Sequence, residues 1–245
     1  MTNRKHLAVL LAGFSVCTAY AGSMGDIAPA DKTLYLAGYA NYNMFHAANA
    51  TTQSTITGVS SPALASHISD QWGYGGGIGF VASKELRFDF IVQARPNIGY
   101  SVTDDLPETA QGTVDITSYM FNAYYTVSPL TTWDLSPYVT AGIGPSMANT
   151  SQIFWPGAAV NQLEGGHRVI NFAWQVGAGI SYAVTRSLDI DFNYEFVGLN
   201  QFSNSGVFTQ LAPVGSSAAG VAPATGFKSL YDNQLQIGAR YKFSV

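Results

Sequence analysis

The chain has 245 residues, enough for one large or two small domains. Only 11% of them are charged and 13% are aromatic, whereas an ordinary soluble domain is roughly 25% charged. That shortage leaves too little charge to cover a fully water-exposed surface, the net charge of −4 argues against a basic nucleic-acid-binding face, and the wealth of Gly, Ser, Thr and Asn argues against a helical protein.

The N-terminus reads as a cleaved signal peptide, residues 1–21. Arg4 and Lys5 precede an apolar run, Leu7 to Val16, and Ala19-Tyr20-Ala21 forms an A-x-A cleavage site. The apolar run falls short of the roughly 20 residues of a membrane anchor. Cys17 follows Val16, where a lipidated Cys needs a small neighbour, so lipidation is not expected. Cleavage removes Cys17 and two basic residues, leaving nine basic against 15 acidic side chains. An exported chain without cysteine has no disulfides to rely on.

Residues 22–245 read as one barrel domain. After a polar lead comes "LYLAGYANYNMF", in which Leu34, Leu36, Ala40, Tyr42 and Met44 alternate with Tyr35, Tyr39, Asn41 and Asn43. A period of two over so many residues suits a tilted membrane-spanning strand. The second strand, Trp72 to Ala82, contains "WGYGGGIGF". Its glycines do not meet the strict dinucleotide fingerprint, and no Gly-Lys-Ser/Thr follows. Instead Trp72, Tyr74, Ile78 and Phe80 share one face, and Gly73, Gly75, Gly77 and Gly79 the other. A bare inner face leaves room for bulky neighbours such as Arg87, Arg95 or Tyr124.

A tight turn at Ser83-Lys84 leads to the third strand, "LRFDFIVQARPNIGY". There Leu86, Phe88, Phe90, Val92, Ala94 and Ile98 alternate with Arg87, Asp89, Gln93, Arg95 and Asn97. The fourth strand has Tyr119, Phe121, Ala123, Tyr125 and Val127 on its apolar face, and the fifth has Val139, Ala141 and Ile143. The sixth, "RVINFAWQVGAGISYA", aligns Ile170, Phe172, Trp174, Val176, Ala178, Ile180 and Tyr182. The seventh, "LDIDFNYEF", sets Leu188, Ile190, Phe192, Tyr194 and Phe196 against Asp189, Asp191, Asn193 and Glu195. The eighth sets Leu235, Ile237, Ala239, Tyr241, Phe243 and Val245 against Gln234, Gln236, Gly238, Arg240 and Lys242.

Links two–three, four–five and six–seven are short. The others, near residues 46–71, 101–112, 148–167 and 198–228, are long and rich in small polar residues. Alternating short turns and long loops is the layout of an outer-membrane barrel with its short turns in the periplasm. The stretch "WQVGAGISYAVTRSLDIDFNYEF" resembles the penultimate hairpin of small eight-stranded outer-membrane proteins, the class of the OmpA transmembrane domain and OmpX, and "YGGGIGF" and "YVTAGIGP" repeat its flavour. The resemblance runs from about Leu34 to Val245. Such barrels usually end in an aromatic residue; this chain ends Phe243-Ser244-Val245.

The resemblance implies an all-β, eight-stranded, antiparallel up-and-down transmembrane barrel in the outer membrane of a Gram-negative bacterium. Ile78, Phe80, Phe88, Phe90, Phe192, Tyr194, Ile237 and Phe243 are expected to face lipid. Arg87, Asp89, Arg95, Asp189, Asp191, Glu195, Arg240 and Lys242 are expected to form a lumenal ion-pair network. Counted from the turn before Leu188 and from the chain end, Lys242 falls near Asp189 and Arg240 near Asp191, and Arg87 and Asp89 form another part. Such a set either lines an ion path or fills a closed lumen, since buried charges need partners.

"QFSNSG", residues 201–206, looks a little like the His-x-Ser-Asn segment of outer-membrane lipid A deacylases, with Gln201 in the place of the histidine. Gln cannot serve as the base that a serine nucleophile needs, although His167 could approach Ser203. His46, His67 and His167 form no close ligand cluster, so neither a catalytic centre, a metal site nor a cofactor is expected. Phe154, Trp155 and Pro156, and the uncharged run before Lys228, mark either a contact surface or loops folded over the barrel mouth.

The reading is a monomeric surface protein with a closed lumen, whose loops serve interaction, adhesion or envelope structure. Its expected partners are outer-membrane lipid, lipopolysaccharide and an extracellular ligand or host surface, not nucleic acid. The alternatives are a narrow route for small or apolar solutes and a lipid A-modifying enzyme.

Overall fold

A computed structural model describes residues 33–53, 60–105, 108–127, 135–156, 161–211, 219–221 and 223–244, all within one compact unit, Asp31–Val245. The expected signal peptide and Val245 lie outside the described residues. Numbered in chain order, eight long strands form a wall: β1 (Thr33–Gln53), β4 (Gln71–Val81), β5 (Leu86–Thr103), β6 (Thr109–Thr126), β7 (Leu135–Thr150), β10 (Arg168–Ala183), β11 (Leu188–Ser203) and β14 (Gly226–Ser244). Six short strands, β2 (Ser60–Pro62), β3 (Ala65–Ile68), β8 (Ile153–Trp155), β9 (Asn161–Glu164), β12 (Val207–Leu211) and β13 (Ala219–Val221), lie between them.

Each wall strand pairs antiparallel with the next. β14 then pairs with β1 from Thr33↔Ser244 to Thr51↔Gly226, so among the described residues the eight wall strands close into a ring with no edge strand of their own. The tight turns follow from local chemistry. The Ser83 hydroxyl accepts from the backbone N–H groups of Glu85 and Leu86, and Thr185 does the same for Ser187 and Leu188.

The period of two decides what faces lipid. Ile78, Phe80, Phe90, Phe192, Tyr194, Ile237 and Phe243 stand exposed on the outer wall, with Phe88 half-buried among them against Phe80 and Phe121. Aromatics gather at the two ends of this apolar band, as the interfaces of a bilayer favour. Tyr42 packs on Trp72 at one end and Tyr241 beside Phe243 at the other.

The glycine-rich inner face of β4 accepts neighbours other than Arg87, Arg95 or Tyr124. The Tyr35 ring occupies the space a side chain at Gly79 would need, Asn43 lies against Gly73, and Gln93 against Gly75. On β14 the Tyr39 ring lies over Gly238 in the same way. The reason is adjacency: Tyr35 is the register partner of Gly79, and Tyr39 of Gly238.

One expectation from the alternation fails at Ile98. It is fully buried rather than lipid-facing, because β5 slips register between Arg95 and Ile98. Asn97 sits there at φ 54°, a left-handed conformation that Asn tolerates better than most residues. An inserted residue flips every later side chain to the other face. Before Asn97 the odd positions point inward (Arg87, Asp89, Ile91, Gln93, Arg95); after it Ile98, Tyr100 and Val102 do. The same switch occurs at Asn200, φ 65°, on β11, where Asn193, Glu195 and Val197 give way to Phe202, and at Asn49, φ 57°, on β1, where Asn43 and Phe45 give way to Ala50 and Thr52.

The three switches place an apolar core inside the upper barrel. Ile98, Tyr100, Val102, Val114, Phe202 and Phe227 belong to one buried cluster. At that level the outer wall carries Thr113, Asp115, Arg168 and Lys228. Where the outside is apolar the inside carries most of the buried charge, and where the outside is polar the inside is mainly apolar. The upper third is packed like a soluble β-protein standing clear of the membrane, which a transmembrane strand of about 9–11 residues crosses.

Candidate functional site

The interior divides into three levels. At the end carrying the tight turns, Arg240 Nε meets Asp191 Oδ2 at 2.5 Å, and Arg240 Nη2 meets Asp189 Oδ2 at 3.1 Å. Lys242 Nζ reaches the other Asp189 oxygen at 2.8 Å. Asp189 and Arg240 are register partners, and Asp191, two residues along β11, shares their inward face. Arg87 does not pair with Asp89. It crosses the lumen to within 3.8 Å of Asp191, with its guanidinium 4.3 Å and 4.4 Å from the ring centres of Tyr124 and Tyr138.

Asp89 and Glu195 therefore stand apart from the expected ion-pair network, since among the described residues no cation lies within ion-pairing distance of either. Asp89 accepts hydrogen bonds from Tyr35, Asn122 and Tyr124 instead. Glu195 accepts from Asn193 and Gln234. Arg87 turns instead to Asp191 and the Tyr124 and Tyr138 rings, while Asp89 is served by the donors Tyr35, Asn122 and Tyr124.

Higher up, Arg95 is fully buried. Its Nε donates to Asp232 Oδ2 at 2.8 Å and to Asn43 Oδ1 at 3.1 Å. Its two other nitrogens donate to Ser118, Gln93 and Gln234. Partners from β1, β5, β6 and β14 thus converge on one guanidinium, whose planar fork suits such a hub. Asp232 is not among the site residues expected from the sequence, yet it shares the inward parity of Gln234 and Arg240 on β14. That parity is the signal that could have found it.

Above Arg95 the apolar core closes the lumen. Tyr100 packs edge-on against Phe202 at 5.3 Å, and Phe202 against Phe227 at 5.0 Å. The Tyr100 hydroxyl donates to Asn204 Oδ1 at 2.6 Å. The long links then form a crown rather than loose loops. β8 joins β6 through Gln111↔Phe154, β9 pairs with β8, β12 with β9 and β13 with β12. Ile153, Trp155 and Phe208 turn inward and are buried over the mouth, whereas Phe154 and Pro156 face outward; residues 212–218 and 222 of the uncharged run lie outside the described residues.

Glu164, fully buried, pins the crown. Its Oε1 accepts from the backbone N–H groups of Gly206 and Thr225, and its Oε2 from Trp155 Nε1. Asn204 completes the seam by donating to the carbonyls of Ser151 and Gly165. The segment 201–206 thus serves as a seam. Ser203 and His167 are joined through Thr150, whose one hydroxyl proton has both of their backbone carbonyls within reach as acceptors. This bridge runs through backbone atoms and gives the Ser203 hydroxyl no base. Among the described residues, no group of three or more His, Cys, Asp or Glu side chains is placed to hold a metal ion.

Comparison with known proteins agrees with this architecture. The "Outer membrane protein PagN" of Salmonella typhimurium is 34% identical over 93 residues, which span 38% of this chain and 38% of that protein. A major outer membrane protein from Thermus thermophilus shares the fold with a TM-score of 0.50 at 11% identity, covering 86% of this chain and 99% of that one. Neisserial surface protein A aligns over 86% of this chain and 97% of its own, with 15% identity and a TM-score of 0.47. The family profile described as "Outer membrane protein beta-barrel domain" matches residues 7–243. The chain belongs to that family, as an antiparallel β-barrel of the Gram-negative outer membrane.

Proposed function

We propose that this protein acts at the cell surface through its crown, as a non-enzymatic, monomeric barrel serving interaction, adhesion or envelope structure. The observation that carries this reading is the filled interior beneath an ordered outer platform. Arg95 and its five side-chain partners stand across the lumen, and the Tyr100–Phe202–Phe227 packing stands above them. A solute route would have to breach both, so the chemistry left to the protein is that of its outer surfaces. The closed ring needs no second chain, which supports a monomer, and its apolar wall suits contact with outer-membrane lipid and lipopolysaccharide.

The crown presents a distinct outer face. Phe154 and Val207 are exposed there, on strands whose opposite face buries Ile153, Trp155 and Phe208. Exposed apolar residues on a pinned sheet form a contact surface at little ordering cost on binding. The test compares adherence to host-cell surfaces of bacteria displaying the wild-type chain and the Phe154→Asp/Val207→Asp variant. Adherence should be lost at equal surface display, with the barrel still folded. Unchanged adherence would contradict the proposal.

A further inference from the structure

The end of the barrel opposite the crown carries a feature that surface interaction leaves unused. A bowl of about 610 Å³ opens there between the tight turns and the adjoining ends of β1 and β14. Its basic lining residues are Lys84, Arg87, Arg186, Arg240 and Lys242, against the carboxylates Glu85 and Asp189. Arg87 and Arg240 also face Asp191 behind the floor, so the excess of positive charge resides at the rim, in a chain whose net charge is −4.

The floor is built from buried groups. Arg87, Ser181, Asp189 and Arg240 are each more than nine-tenths buried and line the bowl. Both Asp189 oxygens are engaged, one by Lys242 and one by Arg240, so its charge is compensated. The Ser181 hydroxyl accepts from Arg240 Nη2 at 2.7 Å, which turns its own proton away from Arg240. Arg87 Nε is buried without a hydrogen-bond partner among the described residues. At the rim, Lys84 and Arg186 are exposed and make no ion pair among the described residues.

We propose that this periplasmic bowl is a binding site for a phosphate-bearing anion. Guanidinium forks, an ammonium and hydroxyl donors are the groups that recognise phosphate oxygens, and charge-assisted bonds of this kind are the stronger class. A cleft whose lining carries an excess of one sign of charge concentrates the opposite ion. The bowl opens at the level of the periplasmic headgroups, so the phosphate belongs either to a lipid headgroup or to a soluble periplasmic compound. The site lies at the far end from the crown and does not depend on the surface reading.

The test uses the folded full chain in a maltoside detergent, which carries no phosphate. Inorganic pyrophosphate and a short-chain phosphatidylglycerol are titrated separately, with binding followed by calorimetry. At least one should saturate. If phosphatidylglycerol binds and displaces pyrophosphate, the source is a headgroup; if only pyrophosphate binds, the source is soluble. Lys84→Gln with Arg186→Gln, both on exposed turn positions, should weaken binding about tenfold, while Arg168→Gln at the opposite end should not. Absence of saturable binding by either probe would overturn the proposal. So would equal affinity in the rim variant, or an equal loss in Arg168→Gln.

Discussion

Arg95 and Asp232 lie 137 positions apart in the chain and meet at 2.8 Å in the centre of the barrel, both fully buried. Removing one partner of such a pair leaves an uncompensated charge, which costs about 3–5 kcal/mol. Arg95→Met should therefore destabilise the barrel by that amount in a reversible urea unfolding assay in lipid vesicles. Adding Asp232→Asn should restore a large part of the loss. Simple additivity of the two changes would show that the pair does not act as a unit.

The lower network predicts a different pattern, because Arg240 serves two carboxylates. Arg240→Met should strand both Asp191 and Asp189, with Arg87 and Lys242 as the cations that remain nearby. Asp191→Asn added to Arg240→Met should recover only part of the stability, and less than the corresponding rescue at Arg95. A full rescue by Asp191→Asn alone would mean that Asp189 is already satisfied by Lys242.

Phe192 and Asn193 are neighbours on opposite faces of β11. Phe192 is 56% exposed and pairs with Ile180 and Ile237, midway between the two aromatic ends of the wall. Phe192→Lys should cost about 2–4 kcal/mol at the bilayer midplane. Asn193 donates one hydrogen bond, to Glu195, and Asn193→Ala should cost about 1 kcal/mol. Equal effects in a detergent-to-lipid folding assay would contradict the assigned faces.

Two glycines separate packing from mere glycine content. A Cβ on Gly79 would collide with the Tyr35 ring, whereas one on Gly38 would meet nothing within 4 Å. Gly79→Ala should destabilise by about 1–3 kcal/mol through overpacking. Gly38→Ala should be neutral or gain about 0.5 kcal/mol, through the lower entropy of the unfolded chain. Unfolding midpoints of the two variants decide the matter, and equal destabilisation would remove the special role of the tyrosine contact.

The wall is legible in the sequence because lipid enforces a strict period of two. "LDIDFNYEF" fixes both faces of β11, and counting from the turn and the chain end places Lys242 by Asp189 and Arg240 by Asp191. The upper barrel is not legible, because its alternation changes phase at Asn49, Asn97 and Asn200. Pro96, just before Asn97, is a usable signal, since proline inside a strand marks an edge or a bulge. Charge alone assigns Asp89 and Glu195 to ion pairs. A sequence does not show that hydroxyls and amides across a curved wall reach them first. The crown depends on pairings among strands of three to five residues, too short for any periodicity to announce.

The closed lumen is the claim on which the rest depends, and conductance across a planar bilayer tests it most directly. Eight strands enclose an interior just wide enough for side chains, whereas porins with an aqueous channel have about 16–18. Here Arg95 fills that interior at one level, and Tyr100, Phe202 and Phe227 fill it at another. The purified, folded protein should give no steady conductance, and at most brief small flickers. A stable conductance of porin size from the wild-type chain would contradict the closed lumen and return the protein to the class of transport routes.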